Sequence, residues 1–356
     1  MLKPRETIVG LSPYRSPILS RAGLSLDLNE SMAGCSPRVL ARLQSLSTPE
    51  LSLYPEREAG ERLVGKFLGV APELVLLTNG MDEALSLLFS AYLEPNDELL
   101  FADPTFVMYP MLGEALGARV MRVRSGDDME LPVDDLLAGI SPRTRVIAIA
   151  NPNNPTGLAA RRGDLLRIIE AASDAAVLID EAYFDFCGET VISELANHPN
   201  LFVARTFSKA YGLAGLRLGV LTGAAEQIGY LRRLGLPFNV NSVALACMEE
   251  ALADQEFVRD HVAQVKEGRE RLAQLFGELG LGCWPGRTNF VLVRIGESAK
   301  VFVESMARRG ILVRDFSGSA CCEGCVRITV GSAAQMDGVL AAIRAAVAEI
   351  GAVRGH

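Results

Sequence analysis

The chain has 356 residues, 49% of them hydrophobic and 22% charged, and its 35 basic against 43 acidic side chains give a net charge of −8. That length suits one large domain with a smaller companion, and a mildly acidic balance argues against nucleic acid as a partner. No apolar run approaches the roughly eighteen residues of a membrane helix, and residues 1–10 carry charge where a secretion signal would be apolar, so the expectation is a cytoplasmic protein with no membrane partner.

The polar, proline-bearing first segment is expected to lie across the surface or to reach a partner subunit. Residues 58–68 read as a helix. They contain Gly60, Gly65 and Lys66 at P-loop spacing, but Phe67 stands where a hydroxyl would ligate magnesium, which argues against a nucleotide site. No Gly-x-Gly-x-x-Gly run follows a strand, so a dinucleotide site is not supported either. From about residue 75 to 222, short apolar runs at 74–78, 98–102, 146–150, 175–180, 201–205 and 218–222 alternate with helix-period stretches. Continuous Val, Leu, Ile and Ala runs indicate strands buried on both faces, hence an α/β domain with a mostly parallel sheet. Beyond Asn241 the pattern changes: a long helical stretch at 242–279, strands at 289–294, 311–314 and 325–330, and helices at 298–309 and 333–350. This predicts a small α+β domain. The division expected is 29–245 for the large domain, with 1–28 and 246–356 forming the small one.

Seven cysteines, an odd number spread over the chain, argue against a disulfide framework and for a reducing compartment. Cys321, Cys322 and Cys325 cluster, and the last two have the spacing of half a zinc or redox site. No second pair accompanies them, so no metal is expected and the cysteines read as small, half-buried residues leading into a strand.

In open α/β sheets ligands bind beyond the carboxyl ends of the strands, so polar residues closing apolar runs draw attention. Gly80, Met81 and Asp82 follow the first run and open a helix, where free amides and the positive dipole end suit a phosphate. The turn at 151–157 holds Asn154 between prolines. Asp180 closes the fourth run, with Tyr183 three residues on. Thr206, Ser208 and Lys209 close the fifth, with Arg217 eight residues later. Capping, turn-building or packing would explain each alone. Together they supply an amine for an aldehyde, a guanidinium and hydroxyls for a phosphate, and a carboxylate for a protonated ring nitrogen.

With Leu28-Asn29-Glu30, Tyr54-Pro55-Glu56, Pro104-Thr105-Phe106, Arg314-Asp315 and the run from Val326 to Gly331, these residues resemble the fold-type I pyridoxal phosphate enzymes of the aspartate aminotransferase superfamily over nearly the whole chain. The resemblance is to the histidinol-phosphate aminotransferases in particular. It implies that Lys209 forms a Schiff base with pyridoxal 5'-phosphate and shuttles a proton as a base of depressed pKa. Asp180 would hold the pyridine nitrogen, Asn154 and Tyr183 the ring's O3′, and Phe106 the ring face. Ser208, Arg217 and the Met81 and Asp82 amides would grip the phosphate, with Gly80 and Thr206 in the same site and Tyr54 reaching it from the second subunit of a homodimer. Arg327, read as beginning a strand, would take both glutamate's carboxylate and the substrate phosphate, helped by Arg314 and Tyr14, with Arg15 adding charge and Asn29 in the same pocket.

The activity implied is transfer of the amino group of L-histidinol phosphate to 2-oxoglutarate in histidine biosynthesis. Three departures bear on the substrate. Ser31, Met32 and Ala33 replace the usual proline after Asn29-Glu30, the stretch 317–324 carries cysteines between the two substrate arginines, and Trp284-Pro285 resemble threonine-phosphate decarboxylases equally well. An aromatic or other amino-acid aminotransferase, such a decarboxylase, and a silent binding homologue are the alternatives.

Overall fold

A computed structural model of the chain describes residues 2–13 and 23–354. Among the described residues twelve strands form two sheets: β1 (Leu24–Leu26), β2 (Val75–Thr78), β3 (Glu98–Asp103), β4 (Arg119–Arg124), β5 (Thr144–Ala150), β6 (Ala176–Asp180), β7 (Leu201–Thr206), β8 (Gly219–Gly223), β9 (Cys283–Trp284), β10 (Phe290–Arg294), β11 (Ile311–Asp315) and β12 (Cys325–Thr329). The large sheet has the order β2-β8-β7-β6-β5-β3-β4. Its strands run parallel except β8, which is antiparallel to both neighbours. The smaller sheet has the order β1-β11-β12-β10-β9 and is antiparallel but for the β1–β11 pair.

The apolar runs became the central strands because both faces are covered. Leu85, Leu88 and Phe89 of helix Met81–Tyr92 pack on one face with Leu99, Val146 and Leu178. Leu165, Ile168 and Ile169 of helix Arg162–Ala171 pack on the other with Ile147, Val177 and Val203. A third cluster fills the space under the small sheet, where Val291, Val326 and Ile328 meet Phe276, Phe302 and Ile343 from three helices.

Register places the polar strand ends together. Ala150 pairs with Asp180, Asp180 with Ala204, and Thr206 and Thr78 both with Gly219, so one edge of the sheet presents the ends of β5, β6 and β7 beside the start of helix Met81–Tyr92.

Four features differ from the sequence expectation. Strands β1, β4 and β9 have no counterpart among the expected strands: β1 and β9 are three and two residues long, and the β4 sequence RVMRVR reads as polar because it is an edge strand, whose exposed arginines also blunt it against pairing with another chain. The helical stretch at 242–279 is two helices, Ser242–Ala253 and Gln255–Glu278, divided at Asp254, whose carboxylate accepts from Phe257 N at 3.3 Å and from the Ser36 hydroxyl. Arg327 does not begin a strand. It is the middle residue of β12, the central strand of the small sheet, and it is buried. Cys322 and Cys325 are fully rather than half buried, packed with Met129 and Leu292, and burial pushes the Cys322 thiol up to about 12.

Candidate functional site

Above that edge lies a pocket of about 320 Å³ whose walls come from both sheets. At its base, Gly80 turns the chain from β2 into helix Met81–Tyr92 with φ 77° and ψ 172°, a conformation essentially reserved to glycine. A Cβ there would stand 2.6 Å from the Arg217 guanidinium, and a Cβ on Gly219 would meet the Gly80 carbonyl carbon at 2.6 Å. The helix start has no side-chain cap, so its first amides face an anion site. Arg217, itself at φ 55°, reaches over it. It donates to Asp82 Oδ2 at 2.9 Å and to Ala214 O at 3.2 Å. The Asp82 carboxylate thus holds Arg217, a part beyond the amide expected of it. Ser208 is buried, and its N–H donates to Thr206 Oγ1 at 3.1 Å, which shapes the turn that ends β7.

Lys209 projects from that turn into the pocket and donates to Leu28 O at 3.2 Å. Burial, together with Arg327 and Arg217, outweighs Glu30 and Asp82 and lowers its amine to about 8. Opposite stands Asp180, whose Oδ1 accepts from Ala182 N at 3.0 Å and whose Oδ2 accepts from the Tyr109 hydroxyl at 2.7 Å. Burial pushes its carboxyl up to about 6. The Tyr183 hydroxyl accepts from Asn29 Nδ2 at 2.8 Å, which leaves its own hydrogen to donate into the pocket. Phe106 lines the wall beside them.

The far end belongs to the small sheet. Arg327 donates one nitrogen to Asn154 Oδ1 and another to Asp27 O at 2.6 Å, with its guanidinium 5.2 Å from the Phe290 ring centre and 5.5 Å from that of Phe316. Arg314 pairs with it across β11 and β12. Asn154 therefore ties the turn at 151–157 to the small sheet. Asn29, at φ 57°, does the same from the other side. Its carbonyl accepts from Asn289 Nδ2 at 3.1 Å and its side chain meets both Tyr183 and Thr329.

The sequence-predicted residues thus converge, with two exceptions. Tyr54 does not line its own chain's pocket. It is 78% exposed and stacks on Phe238, with ring centres 4.2 Å apart. Tyr14 and Arg15 lie outside the described residues. Of the departures, Ser31 donates to Gly34 O at 3.0 Å and lies 3.3 Å from His261 Nε2, so the turn a proline would stiffen is held by hydrogen bonds. Trp284 sits on the outer strand β9 and does not line the pocket. Cys321, on the 317–324 stretch, donates to Asp103 Oδ2 at 3.2 Å.

Sequence reasoning missed Tyr109 and Asp27. Tyr109 had a signal, standing three residues after Phe106 at a helix start. Asp27 had none, because β1 is only three residues long. Its carboxyl lines the pocket and is raised by burial, which outweighs the nearby Arg314 and Arg327. A neighbouring cavity of about 280 Å³ shares Thr105 and Ala150 but offers no lysine and no buried carboxylate. Among the described residues no group of His, Cys, Asp or Glu could hold a metal ion, and no helix is long and apolar enough to cross a membrane.

The model of the family "Aminotransferase class I and II" matches residues 22–343. A histidinol-phosphate aminotransferase from Thermoanaerobacter sp. (strain X514) is 33% identical over 334 residues, 92% of this chain and 94% of the relative. Histidinol-phosphate aminotransferase 1 from Bacillus anthracis is 34% identical over 333 residues, 92% and 89% of the two chains. Among solved structures, the histidinol-phosphate aminotransferase of Sinorhizobium meliloti, in complex with pyridoxal-5'-phosphate, superposes with a TM-score of 0.91 at 25% identity, covering 98% of this chain and 99% of that one.

Proposed function

The chain belongs to the class I and II aminotransferases, and from that premise we propose that it transfers the amino group of L-histidinol phosphate to 2-oxoglutarate in histidine biosynthesis, as a cytoplasmic homodimer. The observation that carries the substrate is the pair Arg314 and Arg327, facing each other across β11 and β12 at the end of the pocket that also holds Lys209. A planar guanidinium on a buried strand binds a carboxylate or a phosphate bidentately. One arginine pair thus serves glutamate in one half-reaction and the phosphate ester in the other. Relatives bearing that name at 33% and 34% identity support the same substrate.

Pyridoxal phosphate fits the residues present. The glycine-only turn under Arg217 and the uncapped helix start would receive its phosphate, with Ser208 and Thr206 beside them. Asp180 would hold its ring nitrogen, Tyr183 and Asn154 its phenolic oxygen, and Phe106 its face. Bound there, the cofactor supplies an electron sink that stabilises negative charge at the substrate carbon. The rest falls to the chain: the Lys209 amine, depressed to about 8, takes and returns the proton at that carbon. Tyr54, exposed and stacked on Phe238 at the surface, contributes to the pocket of the second subunit.

The test offers histidinol phosphate, phenylalanine and threonine phosphate with 2-oxoglutarate and follows glutamate. Glutamate from histidinol phosphate is expected; glutamate from phenylalanine alone, or carbon dioxide from threonine phosphate, would replace this substrate. Arg327→Ala is expected to slow both half-reactions by at least roughly tenfold, the scale of one lost charge-assisted hydrogen bond. Loss in only one half-reaction contradicts a shared arginine.

A further inference from the structure

Tyr109 has no part in the roles above, yet it touches the centre of the site. It is fully buried, and its hydroxyl donates to Asp180 Oδ2 at 2.7 Å. A buried tyrosine needs a partner for its O–H, but any carbonyl would serve; here the partner is the carboxylate facing the pocket. The ring is wedged among Phe89, Phe101 and Phe106, with centres 6.3, 6.3 and 5.9 Å away, the last edge-on at 89°. Its own N–H donates to Phe106 O at 3.1 Å. One side chain therefore braces the two residues assigned to the cofactor's ring nitrogen and ring face.

We infer that Tyr109 is a positioning residue: its hydroxyl hydrogen fixes the Asp180 carboxylate in one orientation and keeps it ionised, which strengthens binding of a protonated pyridine nitrogen. The inference rests on the reading of this pocket as a pyridoxal phosphate site. Its physical basis is a balance at Asp180. Burial raises the carboxyl most, the Tyr109 hydroxyl and the Ala182 amide lower it, and Asp82 and Glu181 raise it again. Asp27, Glu30, Tyr183, Lys209, Arg217, Arg314 and Arg327 are the other titratable and charged groups of the surrounding wall. Tyr109 is held well above the usual phenol range by burial and by Asp180, so it remains a donor at every working pH. Without it, Asp180 keeps one amide partner in a buried setting, where the neutral acid is favoured. A neutral acid attracts a pyridinium far less.

Cofactor-free protein is titrated with pyridoxal phosphate and with the carbocyclic analogue whose ring nitrogen is replaced by C–H. Tyr109→Phe keeps the ring and removes the donor. The expected result is an affinity for pyridoxal phosphate about tenfold weaker, with affinity for the analogue unchanged. In an Asp180→Asn background the same substitution is expected to change neither. Equal loss for both ligands, no loss for either, or a loss that persists in the Asp180→Asn background would make Tyr109 a packing residue and overturn the inference. Circular dichroism checks folding. Should the Phe variant not fold, 3-fluorotyrosine at position 109 keeps the shape and strengthens the donor, and is expected to widen the preference for pyridoxal phosphate; an unchanged preference overturns the inference equally. Wild-type protein that binds neither ligand would defeat the cofactor reading itself, an outcome visible before any variant is compared.

Discussion

Lys209 carries a positive charge only with difficulty in a pocket it shares with Arg217 and Arg327. Its amine is lowered from 10.5 to about 8, so the neutral, nucleophilic form is plentiful near physiological pH. The rate at which cofactor-free protein captures pyridoxal phosphate should rise with pH around a midpoint near 8, as stopped-flow absorbance would show. A midpoint near 10.5 would mean that the lysine feels no burial. Stability follows the same linkage. Between the folded and unfolded values the unfolded chain binds one more proton, so Lys209 makes stability rise with pH across that window, and the full cost is present below about 8. Lys209→Met should flatten that rise in thermal melts. The motif residues were legible because each is a reactive type in a known spacing. The position of Tyr109 three residues after Phe106 was a signal, but its partner was not legible, since a buried tyrosine has the same sequence signature whether it contacts a leucine or a carboxylate.

At the scale of elements, two junctions hold the site. The first is the Gly80 turn, where positive φ, the Arg217 guanidinium and the Gly219 backbone converge. Gly80→Ala is expected to cost about 1–3 kcal/mol in chemical denaturation, the range for a non-glycine residue held there, and to weaken phosphate binding by moving Arg217. Loss of stability with unchanged phosphate affinity would separate the turn from the site. The second is Asp254, which divides two helices and caps the longer one. Asp254→Ala should cost roughly 0.5–2 kcal/mol, whereas Asp254→Asn should retain most of it. Its carboxyl is lowered first by the Ser36 hydroxyl; a depressed carboxylate stabilises above its unfolded pKa, so this contribution should fade as pH drops into the acid range. Apolar periodicity gave the central strands to within a residue or two. It missed β4, whose edge position lets arginines replace apolar residues, and it ran two helices together because an aspartate cap between helical patterns resembles a solvated position.

At the scale of the molecule, the pocket is closed by a sheet that is distant in sequence. Asn29 meets Thr329, Lys209 meets Leu28, and Arg327 meets Asn154. Tyr54 is exposed on the single chain. With Leu53, Leu236 and Phe238 it leaves apolar surface there, which the proposed symmetric partner would cover. Mixing Lys209→Ala and Tyr54→Ala proteins should restore activity towards about a quarter of wild type, because about half of randomly reassorted dimers would contain one intact site. No recovery after subunit exchange would place Tyr54 outside the neighbouring site.

The sequence alone determined the fold class, the two-part organisation expected of the chain and the chemistry of the reactive set. These follow from local quantities: apolar runs set by burial on both faces, and reactive residues at the ends of those runs. Tertiary structure decided what depends on distance. It placed Arg327 in the middle of a buried strand rather than at its start, engaged Asp82 with Arg217, set Asp27 beside the two arginines, and stood Tyr109 behind Asp180. Each of those contacts joins residues 71 to 300 positions apart in the chain or on strands brought together only by the sheet, and no local pattern encodes which buried donor meets which buried acceptor.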